Sequence, residues 1–127
     1  MRTAQRWALP KRPTSPRRAR RRLATASLNL PRELLDTALL LTSELVTNAV
    51  KHGGDRIVLT VRDEPQVLRV EVYDDGPQDP YIGAGASQGE GGRGLILVDS
   101  LAHEWGVSGS AGNGHGKVVW FALRKPS

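Results

Sequence analysis

Residues 76–94 read GPQDPYIGAGASQGEGGRG, and half of the 14 glycines in this 127-residue chain fall there. Glycine loses more conformational freedom on ordering than any other residue. A stretch this rich in it predicts a long mobile loop, not a packed helix or strand. The core must then be built from the segments on either side. Upstream, AQRWAL (4–9) reads as a short strand that Pro10 ends. Pro10, Pro13 and Pro16 bracket a connector. Ser15 can cap a helix that begins with Pro16 and runs to about Ser27. After a break at LNLP, a longer helix is expected over about 32–52. It stops at Gly53-Gly54, which can supply a left-handed C-terminal residue. IVLTVR (57–62) and VLRVEVY (67–73) flank DEPQ and predict an antiparallel hairpin. Downstream, residues 94–102 read as a third helix. Residues 104–108 and 118–123 read as two strands around a glycine-rich turn. The order β-α-α-β-β-loop-α-β-β predicts an α+β two-layer sandwich, with three helices on one face of a mixed, mostly antiparallel sheet.

Composition narrows the function classes. With 39% hydrophobic and 24% charged residues, the chain has the balance of a folded globular domain. It contains no cysteine, which removes disulfides, thiolate metal sites and cysteine nucleophiles. No apolar run approaches the about 20 residues a membrane helix needs, and the basic N-terminus lacks the apolar stretch of a secretory signal. A cytoplasmic location with no membrane partner is expected. Charge is uneven. The first 32 residues hold ten of the 18 Lys and Arg and no acid, while the remaining 95 hold eight basic and 13 acidic residues. The dense run Arg17, Arg18, Arg20, Arg21, Arg22 suits either a solvated helix face or an acidic partner. A nucleic-acid role for this arm is the weaker reading. No base-reading motif is visible, and no aromatic residue for stacking lies between Trp7 and Tyr73.

Three short patterns carry chemistry. On the second helix, Glu44 and Asn48 stand one turn apart, in a stripe with Thr37 and Lys51 opposite the apolar face. An acid and an amide oxygen on adjacent turns make a half-shell for a hard cation, and the plain alternative is a solvated stripe. His52 follows, but no second histidine is spaced for zinc. The strand end Val72-Tyr73-Asp74-Asp75-Gly76 offers carboxylates that can accept an amino group, beside a glycine that admits close approach. The same residues suit an ordinary turn. The run Gly91-Gly92-Arg93-Gly94-Leu95 opens a helix. The N–H groups there and the Arg93 cation form an anion site, without the spacing of a Walker or Rossmann loop.

Taken in order, LLTSELVTNAVKHG, VEVYDDGP, GRGLILVDSLAHEWGV and GKVVWFAL resemble the Bergerat (GHKL-type) ATP-binding fold. More closely they resemble its small actinobacterial branch of anti-sigma-factor serine kinases. The resemblance spans nearly the whole chain as one ATPase-like domain, with residues 77–91 as the lid over the nucleotide. It implies ATP and Mg²⁺ as cofactors. Asn48 would be the Mg²⁺ ligand and Glu44 the general base toward a partner serine. Asp74 would accept the exocyclic amine of adenine, with Gly76 letting the base lie on the backbone. Lys51, Gly92, Arg93, Gly94 and Leu95 would complete the nucleotide site, and Gly116 matches the pattern's final glycine. Two departures stand out. Pro77-Gln78 follows the Asp-x-Gly step, and Lys117 stands where the family commonly has Thr, from where it could itself touch a phosphate. The resemblance also implies a sigma factor and a STAS-type anti-anti-sigma protein as partners, and a homodimer formed through the N-terminal strand. A catalytically silent nucleotide-binding adaptor is the alternative reading.

Overall fold

The computed structural model describes residues 3–26, 29–77, 90–109 and 115–126. Strand β1 (Thr3–Leu9) is followed by helices α1 (Ser15–Ala24) and α2 (Arg32–His52). The hairpin β2 (Ile57–Asp63) and β3 (Val67–Pro77) comes next, then α3 (Glu90–Leu101), β4 (Glu104–Gly109) and β5 (His115–Arg124). The five strands form one sheet in the order β1-β2-β3-β5-β4. Every ladder in it is antiparallel, which sharpens the expected mixed sheet. The expected α+β architecture is present.

Period-two alternation builds the inner face of the sheet. Ile57, Leu59 and Val61 of β2, Leu68, Val70 and Val72 of β3, and Phe121 and Leu123 of β5 are all buried. They form one cluster with Ala19 and Leu23 of α1, Ala38, Leu41, Leu45, Val46 and Ala49 of α2, and Leu95 and Val98 of α3. Phe121 is fully buried at the sheet centre. Truncating a core aromatic of this kind costs about 3–5 kcal/mol. On the opposite face, Arg62 and Arg69 both bond Glu71 Oε2, at 3.1 and 2.8 Å. The Arg69 guanidinium lies 3.9 Å from the Trp120 ring centroid. That indole covers Gly106, where a Cβ would come within 3.0 Å of the ring.

Several local expectations change. Ser15 does not cap α1. Thr14 holds the cap position without a side-chain bond, and the Ser15 hydroxyl donates instead to the Pro10 carbonyl. The helix ends at Ala24, short of Ser27. Gly53 is extended, with φ −94° and ψ −167°, and not left-handed. Both glycines there are required by crowding. A Cβ at Gly53 would lie 2.6 Å from Asp74 Cγ, and one at Gly54 would lie 2.4 Å from the Gly76 nitrogen. Strand β3 runs on through Asp74, Asp75 and Gly76 to Pro77, with a register irregularity between Asp74 and Pro77. Helix α3 starts at Glu90, so Gly91, Gly92 and Gly94 lie within it. Glycine costs about 1 kcal/mol in a helix relative to alanine. Packing of the same helix against α2, through Leu95 and Val98, opposes that cost. Of the lid expected over 77–91, residues 78–89 lie outside the described residues, as does the turn over 110–114.

Candidate functional site

Asp74 is the centre of the site. The β2–β3–β5 ladders place it opposite Ile57 on one side and Lys117 on the other, with its side chain on the helix-covered face. It is 2% exposed. Its Oδ1 accepts three hydrogen bonds: from the Gly54 amide at 3.1 Å, the Gly76 amide at 2.9 Å and Lys117 Nζ at 3.0 Å. Oδ2 accepts none among the described residues. A buried carboxylate is retained only where donors and an opposite charge offset its lost hydration. Oδ1 receives all of that compensation, and Oδ2 keeps its acceptor capacity.

Glycines shape the floor beside the carboxylate. A Cβ at Gly76 would sit 2.5 Å from the Gly54 nitrogen and 2.8 Å from the Gly53 carbonyl carbon. The loop after α2 and the end of β3 are therefore in backbone contact. Asp75 fastens the same junction, because its Oδ1 accepts the Arg56 amide at 2.9 Å. Lys11, from the connector before α1, donates to the Gly53 carbonyl at 2.8 Å. Gly116, just before Lys117, has φ 88°, a left-handed conformation that a side chain strains.

The last turn of α2 lies against this carboxylate, since the space at Gly53 is 2.7 Å from both the Ala49 carbonyl and Asp74 Oδ2. Asn48, next to Ala49, is half-buried. Its Nδ2 is sealed from solvent and has no hydrogen-bond partner among the described residues. Glu44, one turn earlier, is also half-buried. The expected solvent stripe is thus drawn partly inward, because α1, α3, β3 and β5 all pack on α2. Lys51 is exposed on the final turn.

The structure therefore gathers Asp74, Gly76, Gly116 and Lys117 at one point and sets the Asn48-bearing end of α2 beside them. Lys117 donates to the Asp74 carboxylate, because the ladder register sets the two residues opposite one another. Leu95, expected at the ligand, is 5% exposed and packs in the core. Gly92, Arg93 and Gly94 form part of the first turns of α3. Sequence reasoning missed Gly54 as a donor to Asp74. The Gly-Gly pair was visible, but it carries the same signal as a helix stop. No group of three or more His, Asp or Glu side chains suited to a metal occurs among the described residues.

An orphaned buried amide donor, a buried carboxylate with one idle oxygen and a glycine floor that no Cβ could share together offer polar partners to a ligand. The structure is similar to the histidine kinase domain of the blue-light activated histidine kinase of Erythrobacter litoralis EL346. The TM-score is 0.54 and the identity 30%, over 73% of this chain and 45% of that one. The chain thus spans less than half the length of that protein domain. No curated protein sequence matches the chain. Among the described residues, no helix is long and apolar enough to cross a membrane. Residues 9–123 match the histidine kinase-like ATPase domain. An ATPase domain binds ATP, and from near the end of β1 to the end of β5 this chain belongs to that family.

Proposed function

We propose that this protein is an ATP-dependent regulator: an anti-sigma factor that transfers phosphate from ATP to a serine of a STAS-type anti-anti-sigma partner. The observation that carries the reading is Asn48, whose amide nitrogen is buried without a partner on the helix turn between Glu44 and the Asp74 carboxylate. A buried polar group left unmatched costs about 1–3 kcal/mol, which makes sense where a ligand completes it. Asn48 Nδ2 would donate to a phosphate oxygen and its Oδ1 would hold Mg²⁺, with Asp74 Oδ2 accepting from the base amine and the Gly76 region against the face of the ring. The metal, when bound, neutralises charge on the phosphates. Glu44 takes the proton from the attacking serine hydroxyl as its oxygen bonds the γ-phosphorus and ADP leaves.

The basic arm supports an acidic partner such as a sigma factor. Arg18, Arg21 and Arg22 of α1 line a groove of about 350 Å³ with Ala8, Leu9 and Thr25. Arg20 donates to the Ser43 hydroxyl at 3.3 Å, tying α1 to α2 one residue from Glu44. Beside this groove, β1 pairs with β2 alone among the described residues, and its outer edge is the surface we assign to a second copy of the chain. The lid is assigned to residues 77–91, of which 78–89 lie outside the described residues.

The test is transfer of γ-labelled phosphate to purified STAS-type proteins. Glu44→Ala should abolish transfer and keep ATP binding. Transfer that survives Glu44→Ala refutes the assigned base. Mg-ATP binding without transfer to any STAS protein refutes the kinase and leaves an adaptor.

A further inference from the structure

We propose that Lys11 is a positioning residue for the nucleotide site. From the connector before α1 it holds the Gly53–Gly54 peptide in the orientation that turns the Gly54 N–H onto the Asp74 carboxylate. This rests on the nucleotide reading above and concerns what keeps the buried carboxylate in place, not which base it reads.

The Gly53–Gly54 peptide is gripped from both sides. Its carbonyl oxygen accepts from Lys11 Nζ at 2.8 Å, and its N–H donates to Asp74 Oδ1 at 3.1 Å. Ammonium, peptide dipole and carboxylate therefore stand in series, and hydrogen bonds in such a chain strengthen one another. The carbonyl also lies just past the last turn of α2, where the helix dipole favours a cation. A peptide between two glycines has no Cβ on either side to hold its plane. Turned over, it would set the Gly53 carbonyl against Oδ1 and leave that oxygen one donor short. Asp74 opposes the turn from inside the fold, and Lys11 opposes it from outside. Lys11 projects from a stiff support. Pro10 precedes it and Pro13 follows, each with its φ angle fixed by the ring. The Pro10 carbonyl accepts from the Arg12 amide at 2.9 Å and from the Ser15 hydroxyl, and the Ser15 amide donates to the Arg12 carbonyl at 3.0 Å. Among the described residues no carboxylate pairs with Lys11, so its charge is spent on the peptide.

The test reads single amides by NMR hydrogen exchange without nucleotide, and Mg-ATP binding by calorimetry, in wild type, Lys11→Met and Lys11→Arg. Lys11→Met keeps the stem and removes the donor. Exchange at Gly54 should rise about tenfold, the scale of one charge-assisted bond lost, while the Gly76 amide on the same Oδ1 stays protected. Mg-ATP should bind about three- to tenfold more weakly. Lys11→Arg keeps a cationic donor and should restore most of both. A Gly54 amide equally protected in wild type and Lys11→Met overturns the proposal. So does a loss shared equally by the Gly53 amide, which bonds the Ala49 carbonyl, because that describes a lysine that only closes the helix end. Faster exchange at Gly54 with unchanged ATP affinity overturns the role in the site. Wild type that binds no Mg-ATP removes the nucleotide reading and this role with it, and the exchange result separates that failure from failure of the clamp.

Discussion

Replacing Lys117 with Met deletes one charge of a pair whose members are both under a tenth exposed and 3.0 Å apart. The remaining carboxylate cannot hydrate where it stands. Breaking a buried pair from one side costs about 3–5 kcal/mol, because the partner charge is stranded. Here the Gly54 and Gly76 amides still donate to Oδ1, which points to the lower end, about 3 kcal/mol. At about 2.1 cal/mol/K of unfolding entropy per residue, a chain of this length loses roughly 4 °C of Tm per kcal/mol, so the drop should be about 11 °C. Asp74→Asn keeps the shape and the acceptor for both amides but leaves the cation without its carboxylate, and should cost a similar amount. The double variant removes both charges and should recover about 2 kcal/mol or more relative to the sum of the singles. Urea unfolding with a common slope across the four proteins measures this coupling. Loss of under about 1 kcal/mol in Lys117→Met, or strictly additive singles, would refute the buried pair.

Other substitutions probe the neighbouring features. Asn48→Ala should weaken Mg-ATP binding by about ten- to a hundredfold, the usual effect of losing a metal-shell residue. Its unfolding free energy should not fall and should rise by up to about 1–3 kcal/mol, since the deleted nitrogen is buried without a partner among the described residues. Gly76→Ala drives a Cβ into the Gly54 nitrogen and the Gly53 carbonyl carbon, which are backbone atoms that cannot swing aside. It should cost about 1–3 kcal/mol in chemical denaturation and reduce ATP affinity as the floor shifts. Gly106→Ala meets only the Trp120 indole, at 3.0 Å. A change in near-ultraviolet circular dichroism, with a stability loss below about 1 kcal/mol, is expected there.

Much of this was legible in the chain itself. The bounds of α2 follow from Pro31, the apolar period and the Gly-Gly stop, and they agree with the structure at both ends. The Glu44–Asn48 spacing and the Asp74-x-Gly76 step are local patterns, readable because helix and strand geometry is local. What could not be read were the contacts set by register. Lys117 looked available for a phosphate, because nothing in GNGHGKVV says which residue of β3 it will face. Only the β3–β5 ladder sets it opposite Asp74. Gly53-Gly54 was read as a left-handed helix stop because sequence shows the permissive residue but not the atom that demands it. The demand comes from Asp74 and Gly76, some twenty residues away. Glycine propensity starts the third helix only at residue 94 and leaves Gly91 and Gly92 before it, and tertiary packing of α3, which begins at Glu90, prevails over that weak preference.

The Asp74–Lys117 bond joins positions 43 apart in the sequence. Between them the chain carries α3 and β4, and β4 lies at the sheet margin beyond β5. A partly assembled molecule with the first hairpin formed and β5 still loose holds Asp74 with no counter-charge, and water must stay on it. Closing this ladder is slow, long-range work. Sheet completion and the drying of the carboxylate are therefore a single event.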